Sequence, residues 1–293
     1  MSNYRFSGHE TFQCRHFWLK KGYDFLAQNG DVNSNESLVK LGVGKNMVAS
    51  IVHWMKAFKL IADGQFNTPQ EKLTQLANIL FGENGLDPYL EDKGTLWLLH
   101  FQLLNGNYST IYKMIFDDFR KTRVSTEFTS RQIFDFISRK LILEGHSVSE
   151  NTLQTDIKVF LRNYLPSHKK DSKTLEDDYS SVFIGLDLIS AVPDVLVDGE
   201  QLFSLDYDKK SELPEAILLF CILNCFEGQV SIPFHEIQNE VSDLFLCNRE
   251  GTDEKLLKLQ EKGLLVYKED AGRREVQVKE TLDKWQLLNE YYG

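Results

Sequence analysis

The chain has 293 residues, of which 42% are hydrophobic and 12% aromatic. This composition excludes a disordered protein and suggests two or three domains. The formal net charge of −10 excludes a simple DNA-coating protein, but the charge is unevenly distributed. Residues 1–62 carry eight Lys and Arg against four Asp and Glu, whereas residues 171–220 carry three against twelve. A basic patch on an acidic protein still attracts phosphate locally, because salt screens charges beyond about 10 Å.

The sequence shows neither a secretory signal nor a run of about 18 apolar residues that could cross a membrane. The four cysteines are too few and too scattered for a disulfide framework, and Cys221 and Cys225 lie in an apolar context that favours buried thiols. We therefore expect a cytoplasmic protein that makes no membrane contact.

The N-terminal segment predicts a helix over residues 11–26, with Phe and Trp side chains supplying apolar bulk. Its cations Arg15, Lys20 and Lys21 are either solvated or close to a phosphate backbone. An alternative is a metal site formed by neighbouring potential ligands, which are His9, Glu10, Cys14 and His16. Their spacing lacks the paired pattern of common zinc sites, which favours an ordinary helix start.

Residues 41–61 combine a short glycine turn with about four turns of helical pattern. Met47, Val48, Ile51, Met55 and Phe58 fall on one side at 100° per residue, which indicates an amphipathic helix. The side predicted to be exposed is polar and cationic, and comprises Lys45, Asn46, Ala49, Ser50, His53 and Lys56.

With a short helix over 35–41 before the turn, this pattern is typical of a helix-turn-helix, whose second helix enters the DNA major groove. The alternative is that two ordinary core helices meet at a glycine turn. Asp63 and Gly64 signal a hairpin turn, with Leu60-Ile61 and Gln65-Phe66 as a very short wing.

The middle of the chain predicts several further helices. Thr68 and Pro69 open one that reaches Phe81, the apolar segment 95–104 belongs inside a core, and 110–119 is amphipathic. His100 in the apolar segment is expected to be a hydrogen-bonded core histidine. A second helix-turn-helix-like pair spans 130–143, capped by Thr129, and 150–165, capped by Ser149.

The C-terminal part predicts three helices followed by a β-hairpin, which is the order of a winged helix. Before it, Ser181–Leu186 and Gln201–Leu205 are predicted as short strands in an acidic region. The hairpin comprises strands 264–268 and 274–279. Arg273 and Arg274 at its tip either contact a phosphate backbone or simply keep the hairpin soluble. The helix before the hairpin mixes acidic and basic residues, which makes it a poor DNA surface and favours a protein-interaction role.

Four segments resemble an uncharacterised bacterial family, domain of unknown function 4007. They are FSGHETF (6–12), CRHFWLKKGYDFL (14–26), LGVGKNMVASIVHW (41–54) and DPYLEDKGTLWLLH (87–100). They cover the first third densely and in order, which makes the resemblance specific for family membership. The resemblance implies a genomic context near sulfur-transfer enzymes of the phosphoadenosine phosphosulfate reductase type, in DNA-modification or phage-defence systems.

These observations predict a mainly α fold with small β-hairpins, arranged as tandem winged-helix or helix-turn-helix-like units. The predicted organisation is an N-terminal helical domain (1–125), a second helix-turn-helix-like unit (126–170), an acidic linker region (171–213) and a C-terminal winged-helix-like domain (214–293).

We expect a non-enzymatic protein without a cofactor or bound metal that binds double-stranded DNA, because no GxxxxGK[ST], GxSxG or HExxH motif occurs. The residues expected to contact DNA are Lys45, Asn46, Ser50, His53, Lys56, Arg15, Lys20, Lys21, Arg273 and Arg274. The alternative is a scaffold subunit whose acidic C-terminal half docks a sulfur-transfer or DNA-modification enzyme.

Overall fold

The computed structural model describes residues 4–166, 181–279 and 281–293. The fold is mainly helical with two small antiparallel sheets, as the sequence predicts. The helices are α1 (Trp18–Ala27), α2 (Glu36–Leu41), α3 (Lys45–Ala57), α4 (Gln75–Phe81), α5 (Lys93–Leu104), α6 (Thr110–Lys113), α7 (Ser130–Leu143), α8 (Glu150–Tyr164), α9 (Glu215–Cys225), α10 (Phe234–Glu240), α11 (Arg249–Glu261) and α12 (Lys284–Tyr292). The strands are β1 (Glu127–Phe128), β2 (Ile189–Val197), β3 (Glu200–Leu205), β4 (Ser231–Pro233), β5 (Leu265–Asp270) and β6 (Arg273–Val278).

The two sheets share one strand order. The first has the order β1-β3-β2 and the second β4-β6-β5, so in each the last strand lies between the first two. Among the described residues of each unit, two α-helices separate the first strand from the hairpin: α7 and α8 in the middle unit (110–205), and α10 and α11 in the C-terminal unit (215–278). A helical segment precedes each first strand, namely α6 with its π-helical continuation Met114–Phe119 and, in the C-terminal unit, α9.

Several element boundaries differ from the sequence expectation. Helix α1 begins at Trp18 rather than residue 11, because Ser7, Glu10 and Thr11 adopt positive φ angles that a right-handed helix does not allow. The helix predicted from Thr68 to Phe81 is divided into a 3-10 turn at Gln70–Lys72 and the helix α4, which ends at Phe81 as expected.

Further differences lie around α4 and at the start of the segment that follows residue 180. Thr74 instead caps α4 by accepting the Ala77 N–H, and Ile61 pairs with Leu73 rather than with the predicted wing residues. Ser181–Leu186 forms a bridge and a 3-10 turn at Ile184–Leu186 instead of a strand.

The caps predicted for the middle unit are confirmed. Thr129 and Gln132 form a reciprocal capping box at the start of α7, and the Ser149 hydroxyl accepts the Thr152 N–H at the start of α8. Such caps satisfy backbone donors that the first helical turn leaves open, and each contributes about 1 kcal/mol. β3 pairs with both β1 and β2, so the described part of the predicted acidic linker contributes a hairpin to the middle unit.

The core centres on α5, in which every residue from Gly94 to Leu104 is buried. His100 is fully buried there, with Nδ1 2.9 Å from the Tyr164 hydroxyl and Nε2 2.9 Å from the Leu244 carbonyl oxygen. This confirms the prediction of a hydrogen-bonded core histidine. Its partners come from α8 and from the segment after α10, so a single side chain joins the middle and C-terminal units. Among the helices of residues 4–166, 181–279 and 281–293, none is long and apolar enough to cross a bilayer.

Candidate nucleic-acid interface

The exposed surface of α3 is a narrow stripe that starts at its first turn. Gly42 ends α2 in the left-handed conformation, with φ of 66°, and Gly44 lies extended immediately before α3. No side chain caps α3, so Lys45 and Asn46 stand exposed at an open helix start. The stripe continues through the exposed Ala49 and then through Val52 and Lys56, which are both half-buried. None of the 13 residues of α3 is a carboxylate, which leaves the stripe polar, cationic and open.

Two residues predicted to face DNA lie inside the protein instead. Ser50 is fully buried and His53 is 3% exposed. At about 100° per residue His53 falls between Asn46 and Ala49 around the helix, so its burial comes from a segment that covers this side of α3 and not from its position on the helix. The prediction of Ser50 and His53 as groove-facing residues is therefore wrong. The sequence shows that α3 has a wide polar side, but it does not show that an irregular segment elsewhere in the chain covers part of that side.

The covering segment is the N-terminal stretch 6–12. Gly8 lies against the His53 ring, where an added Cβ would come within 2.8 Å of Nδ1. The rings of His9 and His53 meet edge to face at 5.7 Å between centroids. The Trp54 indole donates to the Phe12 carbonyl oxygen over 3.2 Å. Burial, followed by nearby positive charges, lowers the pKa of His53 to about 3, so its ring is neutral at pH 7.

The same stretch is anchored to α8 as well as to α3. The Asp156 carboxylate accepts the Ser7 N–H at 2.9 Å and lies 2.9 Å from His9 Nε2. Both His9 and Asp156 are buried, and Arg162 donates to the Thr11 carbonyl oxygen. Residues 6–12 therefore form a bridge between α3 and α8 and set their relative orientation.

The three cations predicted near α1 have different surroundings. Arg15 is half-buried, with its guanidinium 5.5 Å from the Trp18 ring centroid. Lys20 pairs with Asp24 one turn further along α1, which reduces the charge that it offers to a ligand. Lys21 is exposed. Their surroundings leave Lys21 as the most exposed of the three.

The two arginines of the C-terminal hairpin also differ from each other. Arg274 donates from Nη1 to both Asp253 oxygens, at 2.7 and 2.8 Å, and its guanidinium lies 4.2 Å from the Phe234 ring centroid. These contacts tie β6 to α11 and occupy the guanidinium. Arg273 remains exposed at the start of β6, so it is the member of the pair that is open to a phosphate.

Comparison with protein families supplies the context for this geometry. The family model described as "Protein of unknown function (DUF4007)" matches residues 6–292. The chain belongs to the DUF4007 family. No functionally curated protein matches it.

Two solved structures resemble this DUF4007 protein over nearly its whole length. They are described as "Magnesium ion-bound SspB crystal structure", with a TM-score of 0.84, and "SspB crystal structure", with a TM-score of 0.81. Both are 25% identical in sequence, and in both cases the match covers 99% of this chain and 88% of the other. The likeness therefore extends over all the units described above.

The potential metal ligands near the N-terminus do not converge. His9 contacts Asp156, His16 Nε2 lies 3.0 Å from the Leu90 carbonyl oxygen, and Glu10 is exposed. Burial raises the pKa of the Cys14 thiol well above its usual value, which disfavours the thiolate that a metal requires. In the part of the chain that the structure describes, no group of three or more His, Cys, Asp and Glu is arranged to hold a metal ion.

Sequence reasoning missed a second open helix face, on α8. Asn151, Gln154 and Lys158 are exposed, and their spacing of three and four residues places them in one row. The sequence contains this signal, because the apolar residues of α8 occupy the opposite side.

Proposed function

We propose that this DUF4007 protein is a non-enzymatic DNA-binding protein with tandem winged-helix-like units. We further propose that it is an accessory component of a bacterial DNA-modification or phage-defence system. The observation that carries the DNA-binding proposal is the exposed, carboxylate-free stripe of α3. It follows a short helix and a glycine turn, which is the arrangement of a helix-turn-helix whose second helix enters the major groove.

The shared strand order supports the winged-helix interpretation. In both units a helical segment, a first strand and two helices precede a hairpin whose final strand lies in the middle of the sheet. In a winged helix the hairpin is the wing, and the helix before it faces the ligand. By this topology α8 and α11 correspond to each other, and we assign α8 to DNA as well. Its Asn151 and Gln154 suit adenine, since both amides can bond its major-groove edge bidentately.

The proposed biological setting comes from the family. Membership of DUF4007 implies the neighbourhood of sulfur-transfer enzymes noted above, and a DNA-binding accessory subunit fits a system that modifies or surveys DNA. Double-stranded DNA is the proposed first partner. A cytoplasmic location follows from this role as part of the proposal.

The test is a titration of random-sequence duplex DNA across a salt series. Lys45→Glu combined with Lys56→Glu should weaken binding at least tenfold, and should reduce the slope of log K against log salt by about 2, because each lost phosphate contact removes about 0.9. The matched control is Lys93→Glu with Lys262→Glu, which makes the same charge change at two exposed surface pairs. Equal affinity and slope in all three proteins would refute the assignment of α3.

A second function is favoured by the surface of α11. Its exposed side carries Glu250, Glu254 and Glu261, and Lys209 holds Glu250 and Glu254 through two 2.6 Å ion pairs. Arg249 and Lys258 are also exposed on α11, and such a mixture of charges is a poor surface for phosphate. We propose that the C-terminal unit docks a partner enzyme of the same system. Glu254→Lys with Glu261→Lys should weaken that complex and leave or raise DNA affinity. A loss of DNA affinity would count against this division of roles.

A further inference from the structure

A second basic feature lies at the far end of α3 and was not predicted from the sequence. It is a cleft of about 710 Å³ between residues 4–5, the segment 59–63 that follows α3, and the loop 106–108. Three cations line it: Arg5, Lys56 and Lys59. Lys56 belongs to both surfaces, so the cleft continues the exposed stripe of α3.

The positive charge in this cleft is poorly balanced. Asp63 is the single carboxylate among the described lining residues, and its side chain is 78% exposed at 3.6 Å from Lys56 Nζ, a geometry that contributes little. The Lys59 ammonium donates to the neutral carbonyl of Asn105 over 3.0 Å. Burial, aided by the nearby Lys113, lowers the pKa of Lys59. Converging like charges with neutral partners are destabilising, and a bound anion would relieve that repulsion.

Neutral groups hold the Arg5 side chain in place. Its guanidinium carbon lies 3.6 Å from the Tyr108 ring centroid, and Nη2 donates to the Tyr108 hydroxyl over 2.8 Å. The Arg5 backbone N–H donates to the Thr110 hydroxyl at 2.6 Å, and Thr110 donates back to the Arg5 carbonyl oxygen. These contacts use one edge of the guanidinium and fix its position. A fixed guanidinium loses little entropy when it captures a ligand.

We propose that this cleft binds a phosphate group. A guanidinium fork recognises phosphate oxygens bidentately, and the two ammonium groups that line the same cleft add point charges. Two sources supply this chemistry: a phosphodiester of a DNA strand that passes α3, and a free nucleotide or polyphosphate. The first source rests on the DNA-binding function proposed above, whereas the second is independent of it.

The experiment uses the full chain and two probes. Thermal unfolding is followed with inorganic pyrophosphate against sodium chloride at equal ionic strength, since a ligand that binds only the folded state raises Tm. Duplex DNA is titrated in parallel across a salt series. The variants are Arg5→Gln and Lys59→Gln, the conservative variant is Arg5→Lys, and the control is Arg131→Gln, an exposed arginine whose ion pair is with Asp135. Tm in chloride alone shows that each variant is folded.

A free phosphate source predicts that pyrophosphate raises Tm in the wild type and in Arg131→Gln. Arg5→Gln and Lys59→Gln should then need about tenfold more pyrophosphate, because each loses a charge-assisted hydrogen bond, and Arg5→Lys should be intermediate. A DNA source predicts that the salt slope of Arg5→Gln falls by about one relative to the wild type and to Arg131→Gln.

The cleft proposal is overturned if pyrophosphate shifts no Tm and the Arg5→Gln slope equals that of Arg131→Gln. If the wild type still binds DNA in that case, the function proposed for α3 is retained. Conversely, a pyrophosphate response in a protein that binds no DNA would support the cleft and remove the DNA-binding function.

Discussion

At the residue scale, the buried polar groups beside α3 connect distant segments of the chain. His53 lies under Gly8 and against the His9 ring, and His9 in turn contacts the buried Asp156. An isolated sequence motif containing His, Glu and Cys suggests chemistry, whereas here the histidines connect segments that lie far apart in the chain.

Acid should destabilise the protein through His53. Burial lowers its pKa to about 3, against about 6.5 in an unfolded chain. The unfolded state therefore binds the proton more tightly, and the stability that the neutral ring contributes is complete above about pH 6.5 and is lost as the pH falls towards 3. Between pH 7.5 and 5 this loss amounts to about 2 kcal/mol.

Urea denaturation at both pH values measures the effect. Between pH 7.5 and 5, the free energy of unfolding of His53→Gln should fall by about 2 kcal/mol less than that of the wild type. The pKa of the buried His100 is also lowered, to about 4, but that contribution is present in both proteins and cancels in the comparison. Identical pH dependence in the two proteins would contradict this account.

At the element scale, the direction in which α3 faces decides which of its residues can be functional. The adjacent residues 49 and 50 differ in burial, since Ala49 is exposed and Ser50 is fully buried. α1 packs on the apolar side, where an added Cβ on Gly22 would come within 2.4 Å of the Met55 sulfur. Residues 6–12 cover the side of His53, so only the Lys45–Lys56 stripe remains free.

The same substitution at these two neighbours should therefore have opposite effects. Ala49→Asp should leave the free energy of unfolding within about 0.5 kcal/mol of the wild type and weaken duplex binding at least fivefold by charge repulsion. Ser50→Asp should cost about 3 kcal/mol or more, since it buries an unpaired charge. Urea denaturation and DNA titration of both variants check this. Similar destabilisation by the two would mean that α3 is rotated from the orientation described here.

At the scale of the whole molecule, the units are joined by buried polar contacts. Arg120, which follows the π-helical segment of the middle unit, donates to Asp243 in the C-terminal unit over 2.6 Å. Asp243 also accepts from Gln238 and Tyr207, and burial raises the pKa of Tyr207 to about 12. The buried apolar residues of all units form one continuous core. We infer that the units unfold together.

Removing the inter-unit ion pair should therefore affect the whole chain. Arg120→Ala leaves the Asp243 carboxylate, which is 9% exposed, without its cation, and should cost about 3 kcal/mol. Lys93→Ala is the control, because it breaks the exposed Lys93–Glu212 pair and should cost less than about 1 kcal/mol. Urea unfolding followed by tryptophan fluorescence and by circular dichroism should give coincident transitions for the wild type. Equal costs for the two variants, or separate wild-type transitions, would contradict a jointly stabilised interface.

The sequence by itself determined most helices, the caps at Thr129 and Ser149, the C-terminal hairpin and the burial of His100. These features depend on local periodicity, on side chains that bond backbone groups within a few residues, and on an apolar segment that has no polar side. Family membership was also readable, because four motifs occur in one order.

Only the tertiary structure decided which polar residues of α3 are accessible. His9 and Asp156 are 147 positions apart. The irregular stretch 6–12 that buries His53 has no periodic pattern from which its position could be predicted. The Arg5, Lys56 and Lys59 cleft likewise joins three segments with no shared motif. Burial and charge balance are sums over neighbours in space, and neighbours of this kind cannot be identified from local pattern alone.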